Sequence, residues 1–446
     1  MEIHKEQIDS LNARVRIDIH KKDYEEKVDT ILRDYRKQAN IPGFRKGQVP
    51  IGLIRKQYGK AVMLEEVNKL IQNNLFTFLD KEGVNFLGYP IPRQDHQVNW
   101  EQEDLSFEFE LGLAPEFEVD LKFRKPIVQY DIKLDDKTVE ERVQNILQQF
   151  GEAREKEEVG EKDEVYGLIY AEDLELNNDT YLIRMPQIDS KKAISALKGA
   201  RSGDTVKIRT KGLFKETYQL ASLLGIPVDQ ADKLNTEFSF TINEIKERIP
   251  AEMNQELFDR LFGEGKVQSE EEFRTKIRED IEATYNQQSD QKLMGDITEK
   301  LMDTIEFGLP SEFLVKWILN SAKEPMTEEQ AREEYQRSER SIRYDLIESR
   351  IVKDHGLEVS PDELKRHALG YLMQQMAQSG YSNMHMNEEV LENYARQVLD
   401  NEENARQFQR EILSKKLLQL FKEKSNLKKK QVSYDNFIKE AYASKK

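Results

Sequence analysis

Between residues 40 and 50 the chain reads Asn-Ile-Pro-Gly-Phe-Arg-Lys-Gly-Gln-Val-Pro, a stretch that no regular element can cross. Pro42 and Pro50 each lack a backbone donor, and each pushes its preceding residue toward extended conformations, so a helix entering from either side must stop. Gly43 and Gly47 permit sharp reversals. Upstream, Tyr24, Val28, Ile31, Leu32 and Tyr35 form one apolar helical stripe; downstream, Met63, Val67, Leu70, Ile71, Leu75 and Phe78 form a second, longer one. The pattern predicts helix, stiff loop, helix, with Phe44, Arg45 and Lys46 crowded at the tip. Phe offers apolar and stacking area, and the two cations offer phosphate and carboxylate contacts, which suits a surface of RNA mixed with protein. The competing reading is a plain solvated turn.

The segments around this loop alternate with period two. Val15, Ile17 and Ile19 face one side of a half-buried strand, residues 2 to 9 are expected to pair with it, and strands return at Phe107, Phe109, Leu111 and Leu113. Val128, Tyr130, Ile132 and Leu134 alternate again before a short helix carrying Val139, Val143, Ile146, Leu147 and Phe150. The charged run 151 to 162 reads as a linker into a β-rich middle region, with strands near 165–170, 180–185, 206–209 and 237–245. Beyond Pro250 the pattern is helical, and capping boxes mark three starts: Ser269 with Glu272, Thr327 with Gln330, and Ser360-Pro361 with Glu363. The basic cluster Leu427-Lys428-Lys429-Lys430 is read as a solvated turn. The expectation is an elongated, multidomain α+β chain divided into 1–150, 151–248 and an all-helical 249–446.

Two features of the helical part suggest contact with other polypeptides. Phe273, Ile277, Ile281, Tyr285, Leu293, Ile297, Leu301 and Ile305 recur every four residues, with a gap at Ser289. Four residues overshoot a helical turn by about 40°, so this stripe winds and must meet successive partners, or else partly line an open cradle. Met373, Met376, Met384 and Met386 lie near Tyr371 and Tyr381, and methionine's pliable side chain suits a promiscuous client-binding tip; gap-filling between helices is the alternative. Met384-His385-Met386 is too thin a donor set to argue a metal site, and no metal or cofactor is expected.

Composition removes several function classes. A formal charge of -16 opposes general nucleic-acid binding, so any RNA contact must be local. The absence of cysteine excludes disulfides and thiolate chemistry. The amino terminus lacks the apolar run of a secretory signal, and no stretch approaches about 18 apolar residues, so a cytoplasmic protein without membrane contact is expected. No Walker loop, dinucleotide fingerprint, His-Glu-x-x-His or Gly-x-Ser-x-Gly occurs, which argues against an ATP-driven device.

Gly43-Phe44-Arg45-Lys46-Gly47-Gln48-Val49-Pro50 resembles the ribosome-docking signature of trigger factors, bacterial chaperones of nascent chains, with Gln48 where that family usually has Lys. The resemblance extends in domain order over nearly the whole chain. It implies an ATP-independent chaperone that docks near the exit tunnel through Gly43, Phe44, Arg45 and Lys46, touching ribosomal protein and rRNA. It further implies binding of nascent or unfolded polypeptides, and a homodimer off the ribosome. Residues 193–199 and 201–206 are similar to the short helix and turn of the family's FKBP-type prolyl isomerase domain. Tyr218 and Phe238 match aromatic positions of its flap and last strand, a remnant prolyl pocket. That pocket looks eroded: Ala193 or Ile194 stands where the family has an aromatic, the 174–181 segment is short, neither Trp100 nor Trp317 lies in the domain, and residues 221–234 form an insertion. Weak or absent isomerase activity is expected. Two alternatives remain: a dedicated prolyl isomerase, and a non-chaperone helical scaffold.

Overall fold

The structure is a computed structural model describing residues 1–42, 44–93, 98–171, 180–378 and 388–442. From the amino terminus the order is β1 Glu2–Gln7, β2 Asn12–Ile19, α1 Lys21–Gln38, α2 Ile51–Lys81, β3 Phe86–Pro92, β4 Leu105–Leu113, β5 Ile127–Lys133 and α3 Asp136–Gln149. The middle comprises β6 Glu152–Glu155, β7 Asp163–Tyr170, β8 Tyr181–Arg184, α4 Lys191–Leu197, β9 Thr205–Arg209, α5 Thr217–Leu224, α6 Val228–Lys233 and β10 Glu237–Ile249. Helices α7 Gln255–Phe262, α8 Glu270–Thr304, α9 Ser311–Ser321, α10 Glu328–His355, α11 Pro361–Gln378, α12 Glu388–Asp400 and α13 Glu402–Lys424 follow, then β11 Leu427–Ser433 and α14 Tyr434–Ala441. The mixed, multidomain α+β class expected from the sequence is what this order shows. No helix among the described residues is long and apolar enough to cross a membrane.

The chain divides into two compact units, Met1–Gln129 with Lys292–Lys428, and Tyr130–Gln291 with Lys429–Lys446. In the first, β1-β2-β4-β3 form an antiparallel sheet. Ala13, Val15, Ile17 and Ile19 alternate into the core, where Tyr24, Val28 and Leu32 of α1 and Val67, Ile71 and Leu75 of α2 meet them. Each such large apolar side chain contributes about 1.5–3 kcal/mol on burial, which is why both helices lie where their stripes point. Helix α9 packs on the same sheet: Phe313 covers Gly112, Trp317 covers Gly88, and Lys316 Nζ lies 2.7 Å from Glu110. Elsewhere in this unit Leu293, Ile297 and Leu301 of α8 pack with Ile347, Ile351, Leu417 and Phe421.

In the second unit β6-β10-β7-β8 form a sheet to which β9 adds by pairing with β10. Phe238, Phe240, Ile242 and Ile245 of β10 enter its core with Val165, Ile183, Leu197 and Leu220. A separate cluster joins Val139 and Val143 of α3 to Phe258 of α7 and to Phe273 and Ile277 of α8. Tyr285 stacks on Tyr434, with ring centroids 4.7 Å apart.

Some local expectations change. The Lys428–Lys430 run is part of strand β11, paired with β5, so the tail is not wholly helical and this is no turn. The expected linker 151–162 contains strand β6, which pairs with β10. The winding stripe of α8 does meet successive partners, the first of its two readings: Phe273, Ile277, Tyr285, Leu293, Ile297 and Leu301 are all buried, Phe273 and Ile277 in one cluster and Leu293, Ile297 and Leu301 in another. The gap at Ser289 has its own partner, for this residue is buried and its hydroxyl donates to the Tyr130 carbonyl. The Thr327 and Ser360 capping boxes form as expected, whereas Glu272 reaches the backbone N–H of Gln268 instead of that of Ser269.

Candidate functional site

Helix α1 carries Arg36 and Lys37 in its last turn, where the carbonyl end of the helix favours cations. It ends on Ala39 in an extended conformation, without a left-handed glycine cap, so the chain departs straight toward Pro42. Two turns shape the loop: Phe44 N–H donates to the Ile41 carbonyl at 3.1 Å, and Gln48 N–H donates to the Arg45 carbonyl at 2.9 Å. Gly47 has φ +81 in the second turn, a conformation that only glycine adopts freely.

The returning arm is pinned at one residue. Val49 is wholly buried in the N-terminal core, and its carbonyl accepts the Nε–H of Arg36 at 2.8 Å. Pro50 then caps α2, accepting from Leu53 N–H at 3.0 Å. Below the loop, Tyr35 and Tyr58 meet edge to face at 5.8 Å, and Arg55 pairs with Asp29 to tie α2 to α1. Phe44 is 42% exposed above this base, and Arg45 and Lys46 are exposed as well. Neither cation has a salt-bridge partner among the described residues, so both remain available to an external anion. Gly43 lies outside the described residues.

Tyr218 and Phe238 are placed differently from each other. Tyr218 is 59% exposed on α5, while Phe238 on β10 is buried to 1% and offers no face to a prolyl ring in this conformation. Ala193 is buried in α4, and the 221–234 insertion forms the end of α5 and all of α6, with Leu224 and Ala231 completing the core of the same domain. Of the methionines, Met373 is 58% exposed on α11 and Met376 is partly buried. Met384 and Met386 lie outside the described residues. The exposed Tyr371 approaches Phe408 of α13 at 5.3 Å, at the edge of a small core built on Ala368, Ala395 and Phe408.

Arg36 and Val49 are part of the site although the loop motif alone does not single them out. Val49 carried a signal, as the one apolar residue between Phe44 and Pro50. Arg36 carried none, because a basic residue at a helix end is commonplace.

Comparison with known proteins gives matches along most of the chain. The family model described as bacterial trigger factor protein matches residues 1–146, that of the probable trigger factor FKBP-like domain matches 153–250, and that of the probable trigger factor C-terminal domain matches 289–440. A trigger factor from Chelativorans sp. is 26% identical over 400 residues, covering 80% of this chain and 78% of the relative. One from Bartonella henselae is 26% identical over 386 residues with the same coverage, and one from Chlorobaculum tepidum is 23% identical over 367 residues, covering 78% and 81%. A solved structure of the trigger factor chaperone aligns with 94% of this chain and 99% of its own at 18% identity and a TM-score of 0.49.

Proposed function

The chain belongs to the trigger factor family of ribosome-associated chaperones, and from that premise we propose that Phe44, Arg45 and Lys46 are its ribosome-docking residues. The observation that supports this assignment most is the contrast between base and tip. The loop is fixed from below by Val49 and Arg36, yet its aromatic and two cationic side chains are left in solvent. A solvated turn has no need of a buried plug on one arm. The two free cations suit rRNA phosphates or acidic groups of a ribosomal protein near the exit tunnel, and Phe44 suits an apolar or stacking contact. Docked there, the protein binds apolar segments of nascent chains without ATP and holds back their misfolding. Release follows when the client buries its own apolar surface.

In the same reading 1–150 docks, 151–248 is a divergent FKBP-like domain with weak or absent isomerase activity, and 249–446 receives clients, with Met373, Met376, Met384 and Met386 among its contacts. The protein works in the cytoplasm and self-associates when free of ribosomes. Suppression of aggregation of an unfolded client in the absence of ATP, scored beside pelleting with ribosomes, tests both halves of the proposal.

A further inference from the structure

Among the described residues, the side chains of Phe44, Arg45 and Lys46 have no hydrogen-bond partner, so the shape they present depends on what holds the base. Among the described residues, Arg36 is the side chain that hydrogen-bonds the loop backbone, bridging 13 positions from the end of α1 to the Val49 carbonyl. The bond falls where the returning arm enters α2, immediately before Pro50. Gly47 lies over the end of α1, where a Cβ would stand 3.9 Å from the Lys37 carbonyl, so the second turn of the loop rests on the helix that carries Arg36. The Nη groups of Arg36 have no carboxylate partner among the described residues, so the guanidinium is not held there by an ion pair.

We infer that Arg36 is a positioning residue for ribosome docking: its Nε–H holds the loop in the binding-competent shape while making no contact with the ribosome itself. The inference rests on the docking reading above. A loop that is competent for only part of the time binds with its intrinsic affinity multiplied by that fraction. Loss of the brace therefore lowers association and leaves dissociation of the formed complex unchanged. One hydrogen bond from a charged donor corresponds to roughly tenfold in affinity.

Side-chain geometry supplies a clean test. The amide nitrogen of glutamine is attached to Cδ, as Nε of arginine is, so Arg36→Gln keeps a donor in place and removes the charge. Arg36→Lys keeps the charge and puts a methylene where Nε was. Arg36→Met removes both, and all three are good helix formers, so α1 is preserved. Binding to purified bacterial ribosomes is followed by stopped-flow with a fluorophore on the protein, at several salt concentrations, with thermal unfolding measured in parallel.

The expected result is that Arg36→Met associates about ten times more slowly, with unchanged dissociation, salt dependence and unfolding temperature. Arg36→Gln should bind near the wild-type level, and Arg36→Lys should resemble Arg36→Met. A wild-type association rate for Arg36→Met overturns the inference. So does the reverse ranking, Lys active and Gln inactive with a reduced salt slope, because that identifies a phosphate contact. Phe44→Ala/Arg45→Ala/Lys46→Ala, run alongside, separates the two ideas: if it also binds normally, the docking assignment has failed; if it alone fails to bind, only the brace has.

Discussion

The indole of Trp317 lies directly on the backbone of Gly88, so close that a Cβ there would stand 2.8 Å from its Cγ. One turn earlier on α9, Phe313 fills the equivalent notch at Gly112, where a Cβ would be 2.3 Å from its Cδ1. Gly112 pairs with Leu87 across the β3–β4 ladder, so the two notches are adjacent and receive two side chains at helical spacing i, i+4.

Replacing either glycine by alanine should therefore destabilise this contact. Gly88→Ala adds a clash to the strain of φ +67, and a loss of about 2–4 kcal/mol is expected from overpacking plus left-handed strain. Gly83→Ala is the control, because Gly83 has φ +63 but nothing within 4 Å, and it should lose only about 1–2 kcal/mol. Urea unfolding followed by tryptophan emission measures both. Equal losses at 88 and 83 would show that the notch does not matter.

Acid should loosen the packing of α11 on α13. The Lys416 ammonium, with the backbone N–H and hydroxyl of Ser360, pulls the Glu363 carboxyl down to about 2. Its folded value is thus below its unfolded one, so the stabilisation is complete above about pH 4.5 and disappears as the pH falls toward 2. Glu363→Gln should unfold at lower urea than wild type at pH 7, and most of that gap should be gone at pH 2. A gap of undiminished size at pH 2 would refute this linkage.

Much of the N-terminal domain is legible in sequence because its signals are local. Prolines and glycines set the loop, period-two runs set β2 and β4, and apolar stripes set α1 and α2. What was missed depends on partners far along the chain. The exposed lysines of β11 give no alternation, since that strand is fixed by backbone pairing with β5, roughly 300 residues earlier, and only Val432 is buried. The gap at Ser289 has its reason in the Tyr130 carbonyl beside it, far away in sequence. Likewise, nothing in sequence announces that Trp317 and Phe313 occupy the backbone at Gly88 and Gly112.

The middle domain should be a poor isomerase. Catalysis needs a bowl that strips water from an X-Pro amide, whose rotation barrier is about 18–20 kcal/mol. Phe238 is sealed in the core and Tyr218 stands in solvent. A proline-limited refolding assay should show little acceleration, and Tyr218→Ala should not change it. Strong acceleration abolished by that substitution would favour the alternative, a dedicated prolyl isomerase.

The most direct test of the central claim is sedimentation of the protein with purified ribosomes through a sucrose cushion, comparing wild type with Phe44→Ala/Arg45→Ala/Lys46→Ala at matched salt. Because these side chains are exposed and Val49 and Arg36 are untouched, the variant should keep its thermal stability and remain in the supernatant while wild type pellets. Equal pelleting of the two proteins would contradict the assignment of this loop as the docking site.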